Sequence, residues 1–142
     1  MPLTVEEREA FLAEPHIGAL SVASGRPDRA PVTVPIWYGY EPGGEVWIVT
    51  ERSSRKFALI QAAGRFSMMA DHGPRYVSVE GEVVLTETTT GAELRAMAAR
   101  YLPGEQVDPY VKNAMEVFTE MVTVRMRPRR WLSADLSAPT RD

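Results

Sequence analysis

The sequence predicts a mainly β protein, an antiparallel barrel or sandwich with peripheral helices. Segments rich in β-branched residues, with partial alternation of apolar and polar positions, outnumber the helical patterns. Most of these segments are joined by short turn-forming stretches, which favours antiparallel neighbours over a doubly wound parallel sheet. The chain has 142 residues, the size of one domain with one core.

The first part of the chain has the pattern of a helix followed by three strands. Thr4 and Glu7 have the spacing of a capping box, which predicts a helix over Val5–Ala13 that stops at Pro15. The stretch "GRPDRA" is turn-forming and separates two segments that are expected to pair. The predicted strands cover residues 17–24, 30–40 and 45–50.

A second helix interrupts the run of strands. Apolar residues recur at helical spacing from Ser54 to Ala63, and Gly64 is placed to end this helix as a C′ residue. Val77 and Val79 are expected on the inward face of a later strand. The remaining predictions are strands at 65–71 and 76–87, helices at about 90–102 and 109–120, and a closing strand at 121–136 that Pro128 bends or places at an edge.

Composition excludes several classes of function. The chain has no cysteine, which removes disulfides, thiolate catalysis and cysteine-bound metals. With only His16 and His72 as histidines, no metal site is expected. The net charge of -3 argues against nucleic-acid binding, which needs a basic surface. The absence of a long apolar run predicts a cytoplasmic protein that does not contact a membrane.

The stretch "TERSSRK" has an unusual charge pattern for the start of a helix. It places Ser53 or Ser54 at the N-cap and puts Arg55 and Lys56 in the first turn. Cations are unfavourable there because the N-terminal end of the helix dipole is already positive. An anion would remove this conflict, since amide N–H groups, serine hydroxyls and two cations together can bind a phosphate. The simpler interpretation is an exposed basic turn paired with Glu51, and short motifs have many false positives.

A longer pattern includes this stretch. A strand ends in Thr50, Ser54-Arg55-Lys56 opens a helix, and a further strand is followed by "RYVSVEG" at residues 75–81. Over roughly residues 16–86, the order and spacing resemble the flavin-binding split β-barrel proteins of the pyridoxamine 5′-phosphate oxidase-like superfamily. This superfamily includes flavin and deazaflavin (F420) oxidoreductases. The resemblance implies a split β-barrel, an antiparallel Greek-key-like barrel with flanking helices in a single domain over residues 1–142.

The resemblance also implies a cofactor site. In the family, Ser-Arg-Lys binds the FMN phosphate, so Ser54, Arg55 and Lys56 are the expected phosphate ligands. The family also forms homodimers that hold the cofactor between subunits. Further expected contacts are Thr50, the strand residues Val34, Pro35, Ile36 and Trp37, and Tyr76, which stands where family members have a flavin-contacting glutamine.

Departures from the family pattern limit the expected activity. The Arg-x-Val-Leu-Leu-Lys stretch of true pyridoxamine phosphate oxidases is "VTVPIWY" in this chain, and their C-terminal Arg-x-His segment has no counterpart. Oxidation of pyridoxamine phosphate is therefore not expected, and no catalytic side chain is predicted. An oxidoreductase that uses FMN, or alternatively F420, and an unknown small-molecule substrate is the favoured function. The alternatives are a carrier of flavin, F420 or haem without turnover, and a barrel without any cofactor.

The choice between FMN and F420 depends on exposed cations. F420 has an acidic oligoglutamate tail, so additional basic residues beside the groove would favour it. Arg52, together with Arg55 and Lys56, could supply them.

Overall fold

A computed structural model describes residues 1–117 and 120–137. Four helices and six strands occur in this part of the chain. In chain order they are α1 (Val5–Ala13), β1 (Gly18–Val22), β2 (Val32–Ile36), β3 (Val46–Glu51), α2 (Arg55–Ala63), β4 (Arg65–His72), β5 (Arg75–Thr88), α3 (Gly91–Tyr101), α4 (Gly104–Val117) and β6 (Met121–Asp135).

All six strands belong to one antiparallel sheet, in the order β2-β1-β4-β5-β6-β3. The two ends of this order approach each other through Gly39, which follows β2. Its N–H donates to the carbonyl of Trp47 in β3 at 2.8 Å, and the N–H of Trp47 donates back at 3.0 Å. The sheet therefore curls into a half-barrel, which confirms the mainly β prediction and the barrel over the sandwich.

Alternating residues of the strands fill the interior of the half-barrel. Val46 and Ile48 of β3, Met68 of β4 and Val77 of β5 are fully buried, while their chain neighbours are more exposed. The inward orientation predicted for Val77 and Val79 is confirmed. Helices α1 and α2 add buried aromatic and aliphatic side chains to the same core, namely Phe11, Leu12, Phe57 and Ile60.

Helices α3 and α4 pack against each other and form a smaller apolar cluster of their own. The prediction for α4 was wrong at its start, because the helix begins at Gly104 and continues through Pro109. Pro109 removes one backbone donor. Burial of Val107, Val111 and Ala114 on one helical face offsets this loss. The predicted end at residue 120 was also wrong, since Glu120 is not helical; residues 118 and 119 lie outside the described part of the chain.

Gly81 and Pro128 meet at an irregularity between β5 and β6. Glu80 pairs with Arg130 and Gly81 pairs with Pro128, so Arg129 is an extra residue in β6. Such a bulge bends the strand, as Pro128 predicted, although the first half of β6 is central and pairs with both β5 and β3. A Cβ atom on Gly81 would lie 1.7 Å from the carbonyl oxygen of Arg127. The glycine of "VEG" is therefore required by backbone packing.

Replacing Gly81 by alanine tests this requirement. We expect Gly81→Ala to lower the free energy of unfolding by at least about 2 kcal/mol, because the backbone of β6 must move to admit the methyl group. Urea denaturation followed by circular dichroism measures the change. The control is Gly91→Ala, since a Cβ atom on Gly91 meets nothing within 4 Å and alanine favours the helix. Equal effects of the two substitutions would contradict the requirement.

Candidate functional site

The site begins where β3 passes into α2. Ser54 is the N-cap of α2, with extended backbone angles of φ -71° and ψ 149°. Its hydroxyl oxygen accepts a hydrogen bond from the N–H of Phe57 at 3.1 Å and lies 3.1 Å from the hydroxyl of buried Thr50. Of the two serines predicted as the cap, the structure selects Ser54. The Thr50 contact ties the end of β3 to the first turn of α2.

The first turn of α2 is positively charged and contains no acidic residue. Arg55 and Lys56 are its first two residues, and their amide groups have no acceptor within the helix. Arg55 is exposed, whereas Lys56 is half-buried and burial lowers the pKa of its ammonium group. Among the described residues, no carboxylate lies within 4.0 Å of either cation, so the ion pair with Glu51 is not formed.

A cavity of about 590 Å³ lies beside this turn. Its walls come from the end of β2, the end of β3, the start of α2 and the helices α3 and α4. Six of the nine residues predicted to contact a cofactor line it together: Pro35, Ile36, Trp37, Thr50, Ser54 and Lys56.

The other three predicted residues do not line this cavity. Val34 packs partly buried against the core, because alternation along β2 turns its side chain to the inner face. Arg55 is exposed beside the cavity at the start of α2. Tyr76 lies on the outer face of β5 in a separate groove of about 470 Å³ with Met69 and Leu132. Within one chain, Tyr76 therefore lies in a different groove from the six predicted residues that line the cavity.

Sequence reasoning missed the contribution of the helices to the cavity. Leu94 and Met97 of α3 and Tyr110 of α4 line it, and their helical spacing did not distinguish them from ordinary packing residues. The other lining residues that were not predicted are Ile17, Val49, Glu51 and Met121. No local motif identifies these residues, because they meet only when α3 and α4 fold over the sheet.

Hydrogen bonds fix α3 in this position. The guanidinium of Arg100 donates to the carbonyl oxygens of Ala13 at 2.6 Å and Glu14 at 2.7 Å, at the end of α1. The hydroxyl of Tyr101 donates to the carbonyl oxygen of His16 at 2.7 Å and accepts from the N–H of Tyr38 at 3.1 Å. The C-terminal turn of α3 is thereby attached to backbone groups between α1 and β1 and to the residue that follows β2 by two positions.

Aromatic rings extend this attachment to the cavity wall. Trp37 stacks on Tyr101, with ring centroids 4.9 Å apart and planes at 9°. The Trp37 ring also contacts Tyr110, at 5.4 Å and a tilt of 39°. Burial raises the pKa of Tyr110, so its hydroxyl stays protonated near neutral pH. The cavity therefore combines apolar and aromatic walls with a cationic corner at Lys56.

The family of the chain follows from a match over most of its length. Residues 4–133 match the family model described as pyridoxamine 5′-phosphate oxidase. The chain belongs to this family. Membership confirms the resemblance that the "TERSSRK" and "RYVSVEG" stretches indicated. A search of curated proteins found no match to this chain.

Solved structures share the fold of this pyridoxamine 5′-phosphate oxidase family member. An F420 reductase is 24% identical to this chain and superposes with a TM-score of 0.66. The alignment covers 87% of this chain and 94% of the reductase chain. The conserved hypothetical protein Rv2991 from Mycobacterium tuberculosis is also 24% identical, over 99% and 91% of the two chains, with a TM-score of 0.70. These similarities confirm the split β-barrel, and at this identity they show the fold alone.

A third solved structure is the FAD and heme binding protein from Mycobacterium smegmatis. It is 13% identical, covers 98% of this chain and 74% of its own, and has a TM-score of 0.63. The names of these solved structures refer to F420 in one case and to FAD and haem in another. The shared fold does not by itself select a cofactor.

Two further observations concern metal ligands and membrane-spanning helices. Within residues 1–117 and 120–137, no three histidine, aspartate or glutamate side chains are grouped as metal ligands. No helix in the same part of the chain is long and apolar enough to cross a membrane.

Replacing Ser54 by alanine tests its role as the N-cap of α2. We expect Ser54→Ala to lower the free energy of unfolding by about 1 kcal/mol, because the N–H of Phe57 loses its acceptor. Thermal denaturation of the ligand-free protein measures the effect. Ser53→Ala is the matched control, since Ser53 is exposed and does not cap the helix. A loss of stability in the Ser53 variant alone would show that the cap is wrongly assigned.

Proposed function

We propose that the protein is an oxidoreductase that binds a flavin-type cofactor, with the cofactor phosphate at the start of α2. Lys56 carries this proposal. Its half-buried ammonium group lines the cavity at the positive end of a helix whose first turn has no acidic residue. An uncompensated cation in such surroundings is costly, and a bound phosphate group would remove most of that cost.

The groups around Lys56 fit a phosphate. The amides of Arg55 and Lys56 are available as donors, and Arg55 can add a second charge from the exposed side. The hydroxyl of Ser54 already accepts from Phe57, and its hydrogen is shared with Thr50 or open to a ligand. These donors are of the kind that the Ser-Arg-Lys resemblance implied, and the names of the similar structures with F420 and FAD support the same class of ligand.

The remaining walls suit a flat ring system. Pro35 and Ile36 of the β2 end offer apolar contacts, and the backbone of Trp37 adds polar groups on the same side of the cavity. When bound, a flavin-type cofactor supplies hydride or electron transfer, and the protein supplies binding and orientation. The protein therefore needs no acid–base pair of its own, consistent with a cavity in which, among residues 1–117 and 120–137, the ionisable lining residues are Glu51, Lys56 and Tyr110.

The charges around the helix start favour FMN over F420. Arg52, which could have met an acidic tail, instead donates from Nε to Glu120 at 2.7 Å and lies over the Phe57 ring. Arg55 and Lys56 then remain as the cations of the first turn. Two cations and the helix terminus match one phosphate group, whereas an oligoglutamate tail requires further positive charge.

We expect the loss of Lys56 to weaken cofactor binding more than the loss of Arg55. Purified apo-protein titrated with FMN, and separately with F420, should bind FMN more tightly. Lys56→Ala should reduce that affinity about 10- to 100-fold, as for a charge-assisted hydrogen bond worth roughly 1.5–3 kcal/mol. Arg55→Ala should have a smaller effect because its side chain is exposed.

Lys112→Ala is the control, since Lys112 is an exposed lysine on α4. Unchanged FMN affinity in the Lys56 variant would overturn the phosphate site. Turnover is tested on the loaded protein: reduction of bound cofactor by NADPH, or its reoxidation by a substrate, supports an oxidoreductase. Bound but inert cofactor would indicate the carrier function instead.

We also propose a homodimer, because a nearly uncharged strip crosses the outer face of the sheet. Cross-strand pairing places one residue of each of five strands in a row, in the order Pro35, Ala19, Met69, Ser78 and Leu132. The row runs from the cavity to the groove that contains Tyr76, and Leu132 is 65% exposed. A second copy seated on this strip could bring its Tyr76 towards the cofactor cavity.

Leu132→Glu tests the dimer. Burying a carboxylate in an apolar interface is unfavourable, so we expect the variant to be monomeric and to bind FMN more weakly. Size-exclusion chromatography with light scattering measures the mass. Leu85→Glu is the matched control, because Leu85 is an exposed strand leucine outside the strip. A monomeric wild-type protein, or a dimer unaffected by Leu132→Glu, would contradict this interface.

A further inference from the structure

The helical wall of the cavity has a chemistry different from that of the phosphate corner. Leu94 and Met97 of α3 offer apolar surface, and Tyr110 of α4 adds an aromatic ring with a hydroxyl group. A cofactor ring that lies along β2 would leave this wall facing the remaining space. The wall is therefore positioned to contact a second molecule beside the cofactor.

Tyr110 supplies the polar group of this wall. Its hydroxyl makes no hydrogen bond with any other described residue, although the side chain is partly buried. The hydroxyls of Tyr38, Tyr40 and Tyr101 are all bonded to protein oxygen atoms. Tyr76 shares the lack of a hydrogen bond among the described residues but lies in the separate outer groove. Because Tyr110 lines the cavity, its hydroxyl is available as a donor to a ligand.

Trp37 supplies a flat surface next to this donor. Stacking against Tyr101 holds its ring in place, and Tyr101 is itself fixed by two backbone hydrogen bonds. Tyr110 contacts the same Trp37 ring, with ring centroids 5.4 Å apart and a tilt of 39°. This arrangement favours a planar ring that stacks or packs against Trp37 and carries an acceptor atom within reach of Tyr110.

We propose that this wall binds flat aromatic compounds with a carbonyl oxygen, such as aromatic ketones and aldehydes. Trp37, Leu94 and Met97 contact the ring, and the hydroxyl of Tyr110 donates to the carbonyl oxygen. As a substrate assignment, the inference rests on the proposed oxidoreductase function. A strongly charged substrate is disfavoured, because the charged residues lining the cavity are Glu51 and Lys56, and Lys56 is assigned to the phosphate.

Two probes of similar size, one with and one without a carbonyl oxygen, test the assignment. 2-Acetylnaphthalene has the carbonyl acceptor, and 2-ethylnaphthalene replaces it with a methylene group. Isothermal titration of the full chain, with and without saturating FMN, should show tighter binding of the ketone by the wild-type protein. Tyr110→Phe should weaken ketone binding about 5- to 10-fold, as for the loss of a neutral hydrogen bond. It should leave binding of 2-ethylnaphthalene unchanged.

Lys112→Ala is the control, because this exposed residue lies on the same helix as Tyr110 but outside the cavity. The comparison of the two probes with the wild-type protein needs no variant. It therefore tests recognition of the carbonyl oxygen even if Tyr110→Phe folds poorly. Equal affinity for both probes, or a Tyr110 variant that retains full ketone affinity, would overturn the proposal. A Tyr110 variant that loses FMN affinity instead would assign this wall to the cofactor.

The FMN titration of the wild-type protein keeps the two proposals separate. A protein that discriminates between the probes but does not bind FMN or F420 would retain the aromatic site and lose the oxidoreductase function. Conversely, FMN binding without discrimination between the probes would leave the cofactor site standing and reject the aromatic ketone site.

Discussion

The hydrogen bond between the hydroxyls of Thr50 and Ser54 joins the barrel to the start of α2. Thr50 is buried in the strand pattern of β3, so its position is set by the core, and Ser54 transmits that position to the first turn of the helix. Lys56 consequently enters the cavity with its charge beside the positive helix end. We propose that this arrangement of like charges favours a bound anion.

The contacts of α3 determine the shape of the rest of the cavity. Arg100 and Tyr101 attach α3 to the backbone around α1 and β1, and Tyr101 holds the ring of Trp37. The cationic corner at Lys56 thus belongs to the barrel and α2, whereas the aromatic wall belongs to β2 and the α3–α4 pair. Such a division would allow the helices to change ligand preference while the barrel retains the proposed phosphate site.

Local signals predicted some elements well because the interactions involved are local. The capping box of Thr4 and Glu7 is formed and gives α1 the predicted bounds. Gly64 ends α2 in the left-handed conformation that its sequence position indicated. The start of α4 was missed because Pro109 is a strong local signal against a helix, and the burial that opposes it involves residues of α3.

The sequence by itself determined the class of fold, the N-cap region of α2 and the basic first turn, because alternation and capping act over a few residues. The tertiary structure decided which predicted residues share a cavity. Pairing across the sheet placed Tyr76 on the outer face, away from Lys56, and folding of α3 and α4 over the sheet brought Tyr110 to Trp37. Contacts between residues far apart in the chain depend on packing, which the spacing of residues along the chain does not reveal.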